Sequence, residues 1–148
     1  MSEAQAIIAR LQLAPHPEGG WYRETWRALS PEPGARSPVT TILFLLEAGQ
    51  RSHWHRVDAS ELWLFQAGAP LTLFTALGEA GEGGGVATIL GPDPLVGHAP
   101  QHRVRPHEWQ AAHAHADWSL VACVVSPGFE FSGFEMAPPD WAPLGPVE

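Results

Sequence analysis

The chain has 148 residues, enough for one ordinary domain with an enclosed core, and 45% of them are hydrophobic, as in a soluble globular protein. Its formal net charge is -8 and all eight basic residues are arginine. A Schiff-base lysine, a phosphate-loop lysine and a lysine-rich nucleic-acid patch are therefore excluded, and scattered arginines on an acidic chain predict no nucleic-acid partner.

In chain order, SEAQAIIARLQL places Ala4, Ile7, Ile8 and Leu11 at helical spacing, with Ser2 as N-cap and Pro15 and Pro17 as stops. This predicts one helix over about residues 3–12. PHPEGGWYRETWRA follows, then a loop rich in Pro, Gly and Ser, and from Val39 the pattern becomes short β-prone runs: VTTILFLLEA, SELWLFQA, PLTLFTAL, GVATILG, HRVR, DWSLVACVV and FEFSGFEMA. Glycine and proline, 15 of each, mark most of the breaks. Their close spacing leaves no room for crossover helices, so a β-sandwich or barrel over about residues 20–137 is expected, with GEAGEGGG as a hairpin tip. A single domain spans 1–148. Cys123, the one cysteine, sits in LVACVV and reads as a buried strand residue with no disulfide partner. No apolar run approaches the roughly 18 residues of a membrane helix. The N-terminus also lacks a basic region followed by an apolar one, so no membrane association and a cytoplasmic location are expected.

The informative stretch is GQRSHWHRVDASELWLFQAG at 49–68. On a strand, His53 and His55 share one face and Trp54 takes the other; on the next run Glu61, Trp63 and Phe65 share a face. If both runs line a barrel, two imidazoles and a carboxylate converge in an aromatic-walled cavity, where burial without partners is costly. Three arrangements relieve that cost: a divalent metal, a His and Glu hydrogen-bond network around a ligand, or exposure at the barrel mouth. Two imidazoles and a carboxylate suit Fe, Zn, Ni or Mn.

The order Gly49, His53, His55, Glu61, Gly68 resembles the first motif of the cupin superfamily; six residues separate Glu61 from Gly68. More closely, PHPEGGWYRETWR, SHWHRVDASELWLFQAGAPLTL, LGPDPLVGHAPQHRV and VVSPGFEFSGFEMA resemble the small single-domain cupins called DUF985 or cupin 5, some of them described as predicted sugar epimerases. The resemblance implies a double-stranded β-helix, a jelly-roll barrel, with a short N-terminal helix. It also implies a homodimer and a divalent metal held by His53, His55, Glu61 and a fourth ligand. That fourth position departs from the pattern: in VRPHEWQ, Arg105 stands at the motif's proline, His107 at its turn glycine and Gln110 where other cupins carry a histidine. His107 reads as a turn residue, and His113 and His115, an odd number of steps from Gln110, read as a surface loop facing away. His16, His98 and His102 read as loop residues.

In sugar-epimerising cupins a histidine acts as base and a tyrosine as acid, so the resemblance makes Tyr22 a catalytic candidate beside His53, His55 and Glu61, with packing of an edge strand as the alternative. Trp63, Phe65 and Gln110 are the substrate-binding candidates. Three functions follow: an enzyme acting on a small polar metabolite such as a sugar or nucleotide sugar, by acid and base or through a 2-His-1-carboxylate metal; a non-catalytic small-molecule binder; and a structural module, which would leave the convergent group unexplained.

Overall fold

The computed structural model describes residues 1–146. The helix α1 (Glu3–Leu11) leads into β1 (Ala14–Pro15), β2 (Trp21–Arg27), β3 (Thr40–Leu46), β4 (His55–Val57), β5 (Ser60–Gly68) and β6 (Leu71–Ala76). Then come β7 (Gly85–Leu90), β8 (Gln101–Val104), β9 (Trp109–Ala114), β10 (Ser119–Ser126) and β11 (Phe134–Met136). A six-stranded sheet runs β1-β2-β3-β10-β5-β8 and a five-stranded sheet β11-β4-β9-β6-β7, with antiparallel ladders throughout. Neighbours such as β10 and β3 are far apart in sequence, so the chain passes repeatedly between the sheets. This is the expected jelly roll.

Local chemistry explains the elements. The side chain of Ser2 accepts the Gln5 N–H, and that of Gln5 accepts the Ser2 N–H, a reciprocal cap that starts α1. The helix ends at Gln12 in a left-handed conformation. Its apolar stripe covers Leu43, Leu45 and Leu120 on the outer face of the large sheet, while Phe44, Leu46 and Val121 point into the barrel. Burial on both faces is why β3 reads as unbroken TTILFLL rather than as an alternation.

Two of the apolar runs are differently placed than their sequence suggests. FEFSGFEMA contains a 3-10 turn at Phe131–Gly133, and only Phe134–Met136 joins a sheet. AAHAHAD is strand as far as Ala114, so His113 lies on β9 rather than in a loop, and its ring and that of His115 lie 4.3 Å apart. Inside the barrel, Phe44, Leu46, Trp63, Leu71, Leu73 and Val121 fill one end as a packed core. Polar side chains collect towards the other. Among the described residues no helix is long and apolar enough to cross a membrane.

The two glycines that bracket the 49–68 stretch are both left-handed but differ in surroundings. A Cβ on Gly68 (φ 86°) would lie 2.5 Å from the Trp118 carbonyl oxygen and 2.6 Å from its ring, whereas one on Gly49 (φ 75°) would meet nothing within 4 Å. Gly49→Ala is therefore expected to lose only the conformational cost of about 1–2 kcal/mol, and Gly68→Ala clearly more, in urea denaturation. Equal losses would contradict this packing.

Candidate functional site

The site is built by a turn that folds back into the barrel. Between β1 and β2, His16 N–H donates to the Gly20 carbonyl at 2.9 Å and Gly19 N–H to the His16 carbonyl at 3.0 Å, a tight reversal. Gly19 and Gly20 are left-handed, and a Cβ on either would run into the Arg51 carbonyl or the Phe44 and Leu46 side chains. The turn can press this closely only because both residues are glycine. His53 N–H then donates to the Glu18 carbonyl at 2.7 Å, which fixes Glu18 above β4.

The result is a buried contact: His55 Nε2 stands 2.7 Å from Glu18 Oε2. The other ring nitrogen, Nδ1, is 2.7 Å from the His53 carbonyl oxygen, which can only accept, so Nδ1 carries a hydrogen and the proton shared with Glu18 makes the ring an imidazolium. Burial alone would make His55 less basic. The adjacent Glu18 carboxylate, the charge of Glu61 and the His53 carbonyl outweigh it and hold the pKa up to about 9.

Glu61, on β5, is buried beside this pair, and burial followed by the nearby Glu18 charge pushes its carboxyl above the ordinary range. Gln110 Nε2 donates to Glu61 Oε1 at 3.1 Å, and Gln110 Oε1 accepts from Trp63 Nε1 at 2.8 Å. The amide is thus oriented by the indole and in turn orients the carboxylate. The buried thiol of Cys123, near Glu61, is pushed well up by burial and by the two carboxylates.

His16 completes the floor. Its Nδ1 accepts the Glu18 main-chain N–H at 3.1 Å, which requires a lone pair there, and burial lowers its pKa, so the ring is neutral with its hydrogen on Nε2. Neither that nitrogen nor the Tyr22 hydroxyl has a protein partner. Since no fully buried side-chain nitrogen or oxygen among the described residues lacks one, both open onto the cavity that His16 and Tyr22 line. The two rings meet edge to face at 4.4 Å. The cavity measures about 450 Å³, with His16, Glu18, Tyr22, His55 and Glu61 at its floor and Phe129, Phe131 and Phe134 along one wall.

Of the residues singled out by sequence, the fold brings His55, Glu61 and Tyr22 to this cavity. Gln110 lies behind Glu61, and Trp63 is a core residue packed on Phe44, not a cavity wall. Phe65 is half-buried and does not line this cavity. His53 departs most from the alternation pattern. It precedes β4, which begins at His55, and its Nε2 faces outward to the Ala137 and Pro138 carbonyls at 3.1 and 2.8 Å. It borders a separate cavity of about 630 Å³ that includes Trp54, Phe74 and Trp141. Glu18 and His16 were missed by the sequence reading; the only signal was PHPEGG itself, whose paired glycines mark a turn that must approach another backbone closely.

The residues present do not fit the divalent metal that the motif implies. His53 is turned away, both nitrogens of His55 are committed to protein oxygens, and the one oxygen of Gln110 is taken by Trp63. Among the described residues no group of three or more His, Cys, Asp or Glu side chains is arranged to hold a metal ion.

The buried pair makes stability pH-dependent. The folded pKa of His55, about 9, lies above its ordinary 6.5, so its contribution of about 3 kcal/mol is fully present below pH 6.5 and is lost as pH rises through 9. The raised Glu61 acts in the same direction, because the folded state holds its proton longer. Urea denaturation is expected to show falling stability over this window. In Glu18→Gln the fall over that window should shrink and stability at pH 6 drop by about 3–5 kcal/mol. A flat profile in the wild type would refute the assignment.

Three comparisons place this geometry. A family model described as Cupin superfamily (DUF985) matches residues 5–137. A Shewanella oneidensis protein of known structure is 37% identical with a TM-score of 0.83, the match covering 93% of this chain and 85% of that one. A hypothetical protein from Leishmania major is 33% identical with a TM-score of 0.80, over 92% and 88% of the two chains. Oxalate decarboxylase from Bacillus subtilis shares the fold alone, at 14% identity and a TM-score of 0.60 over 82% of this chain and 29% of that one. No curated protein sequence matches. The chain belongs to the DUF985 family of the cupin superfamily.

Proposed function

We propose that the cavity binds a small polar metabolite, such as a sugar, and moves a proton on a carbon beside its carbonyl, the chemistry of an isomerase or epimerase. The observation that carries this reading is the His55 imidazolium held 2.7 Å from Glu18 next to Glu61, a carboxyl whose pKa is pushed up. A carboxylate of raised pKa is a stronger base than an ordinary one and suits proton abstraction near neutral pH. Glu61 takes the carbon-bound proton, and the bonding pair moves to the carbonyl oxygen. The positive charge on His55 and the Nε2–H of His16 favour that oxyanion in a site with an apolar wall. The Tyr22 hydroxyl, open to the same cavity, donates a proton to the carbon, re-forming the carbonyl.

A binding-only role is favoured by one observation: His55 has no free ring nitrogen and cannot itself take up a proton. Deuterium exchange separates the two. In D₂O, a panel of keto and aldo sugars is expected to include one that gains deuterium beside its carbonyl, with exchange reduced about 10²-fold or more in Glu61→Gln. Saturable binding without exchange anywhere in the panel would leave the binding-only role.

A homodimer belongs to the same proposal. Among the described residues only Ala14 and Pro15 pair with the outer edge of β2, so the main chain from Arg23 to Arg27 is an open sheet edge there, beside exposed Trp26 and Leu29. Analytical ultracentrifugation is expected to give twice the chain mass, and Trp26→Glu to shift it towards the monomer. A monomeric wild type at micromolar concentration would end this part of the proposal.

A further inference from the structure

We infer that the ligand of this cavity carries an anionic group, a phosphate ester or a carboxylate, and that Arg23 is its anchor at the mouth. This rests on the cavity being the ligand site proposed above. Two arginines line it, Arg23 and Arg27. Arg27 is already matched: its Nε and Nη2 donate to the two carboxylate oxygens of Glu24 at 2.8 and 3.0 Å, and Nη2 also reaches the Phe129 carbonyl. Outside the cavity, Arg36 is held by Asp58, and Arg56 by Glu79 and Glu135.

Arg23 is different. Its Nη1 donates to the Leu11 carbonyl at 3.2 Å, at the end of α1, and no acidic side chain pairs with it among the described residues. That one bond steadies a planar group whose remaining N–H donors are unused. Guanidinium presents five donors in a rigid fork that matches the paired oxygens of a carboxylate or phosphate.

Most other charges of the lining are already held: among the described residues Glu18 is matched by His55 and Glu24 by Arg27, Glu61 accepts the Gln110 amide N–H, and Glu130 has no cation within salt-bridge distance. Among the described residues Arg23 is the cation of the lining that no carboxylate holds. The floor adds donors for the same ligand, His16 Nε2–H and the Tyr22 hydroxyl.

The alternative is that Arg23 only neutralises the carbonyl end of α1. Stability and anion affinity separate the two roles. Amide NMR shifts would be followed on titration with inorganic phosphate and with acetate, in the wild type, Arg23→Gln and Arg23→Lys. The expected result is a saturable shift at Tyr22, His55 and Glu61, weakened about tenfold or more in Arg23→Gln and partly restored in Arg23→Lys. Preference for phosphate would identify a phosphate ester, and preference for acetate a carboxylic acid. No saturable shift at those amides in the wild type, or equal affinity in Arg23→Gln, overturns the inference. Anion binding without deuterium exchange on any sugar sinks the proton-transfer reading alone; exchange on a neutral sugar without anion binding sinks this one alone.

Discussion

Everything distinctive about this barrel turns on one contact, the 2.7 Å approach of His55 and Glu18 in a place water scarcely reaches. A buried imidazolium is expensive, and a buried carboxylate equally so; each is tolerable because of the other and because the His53 carbonyl takes the second imidazole N–H. The tight turn at Gly19 and Gly20, the His53 amide on the Glu18 carbonyl and the early start of β4 serve that contact. Glu61 is drawn into the same balance. It lies close enough to feel both charges, and its partner Gln110 is itself held by Trp63.

Seen this way, the departure at Gln110 has a physical meaning. An amide has one donor side and one acceptor side, and here the acceptor serves an indole N–H and the donor a carboxylate, so the amide oxygen is already engaged within the protein. The cupin scaffold is kept while the interior is organised around hydrogen-bonded proteins groups. Fold likeness to oxalate decarboxylase therefore says nothing about chemistry, which resides in the floor of the cavity.

Much of this architecture was legible in the sequence, for identifiable reasons. The helix announced itself through its Ser2 N-cap and apolar stripe, and the strands through short runs cut by glycine and proline. Glu61 and His55 were legible because alternation along a strand fixes which side chains face inward. The same rule failed at His53, which lies just outside β4, where alternation has no hold; it held at Trp63, which faces inward but packs in the core rather than along the cavity. His16 and Glu18 left no signal beyond the paired glycines of PHPEGG. They reach the site through a reversal of the chain, and no periodicity encodes where a turn lands.

The glycine turn also sets where this protein can change. With backbone and core side chains within a methyl group's reach of Gly19 and Gly20, the floor tolerates neither bulk nor insertion. The opposite rim is looser: Phe131 is half exposed on a short 3-10 turn, and its neighbours stack edge to face without enclosing it. Diversification, whether natural or in a laboratory library, is thus channelled to residues 129–134. Paralogues that acquire new ligands should differ there first, keeping the inherited acid–base floor and trading the shape of its doorway.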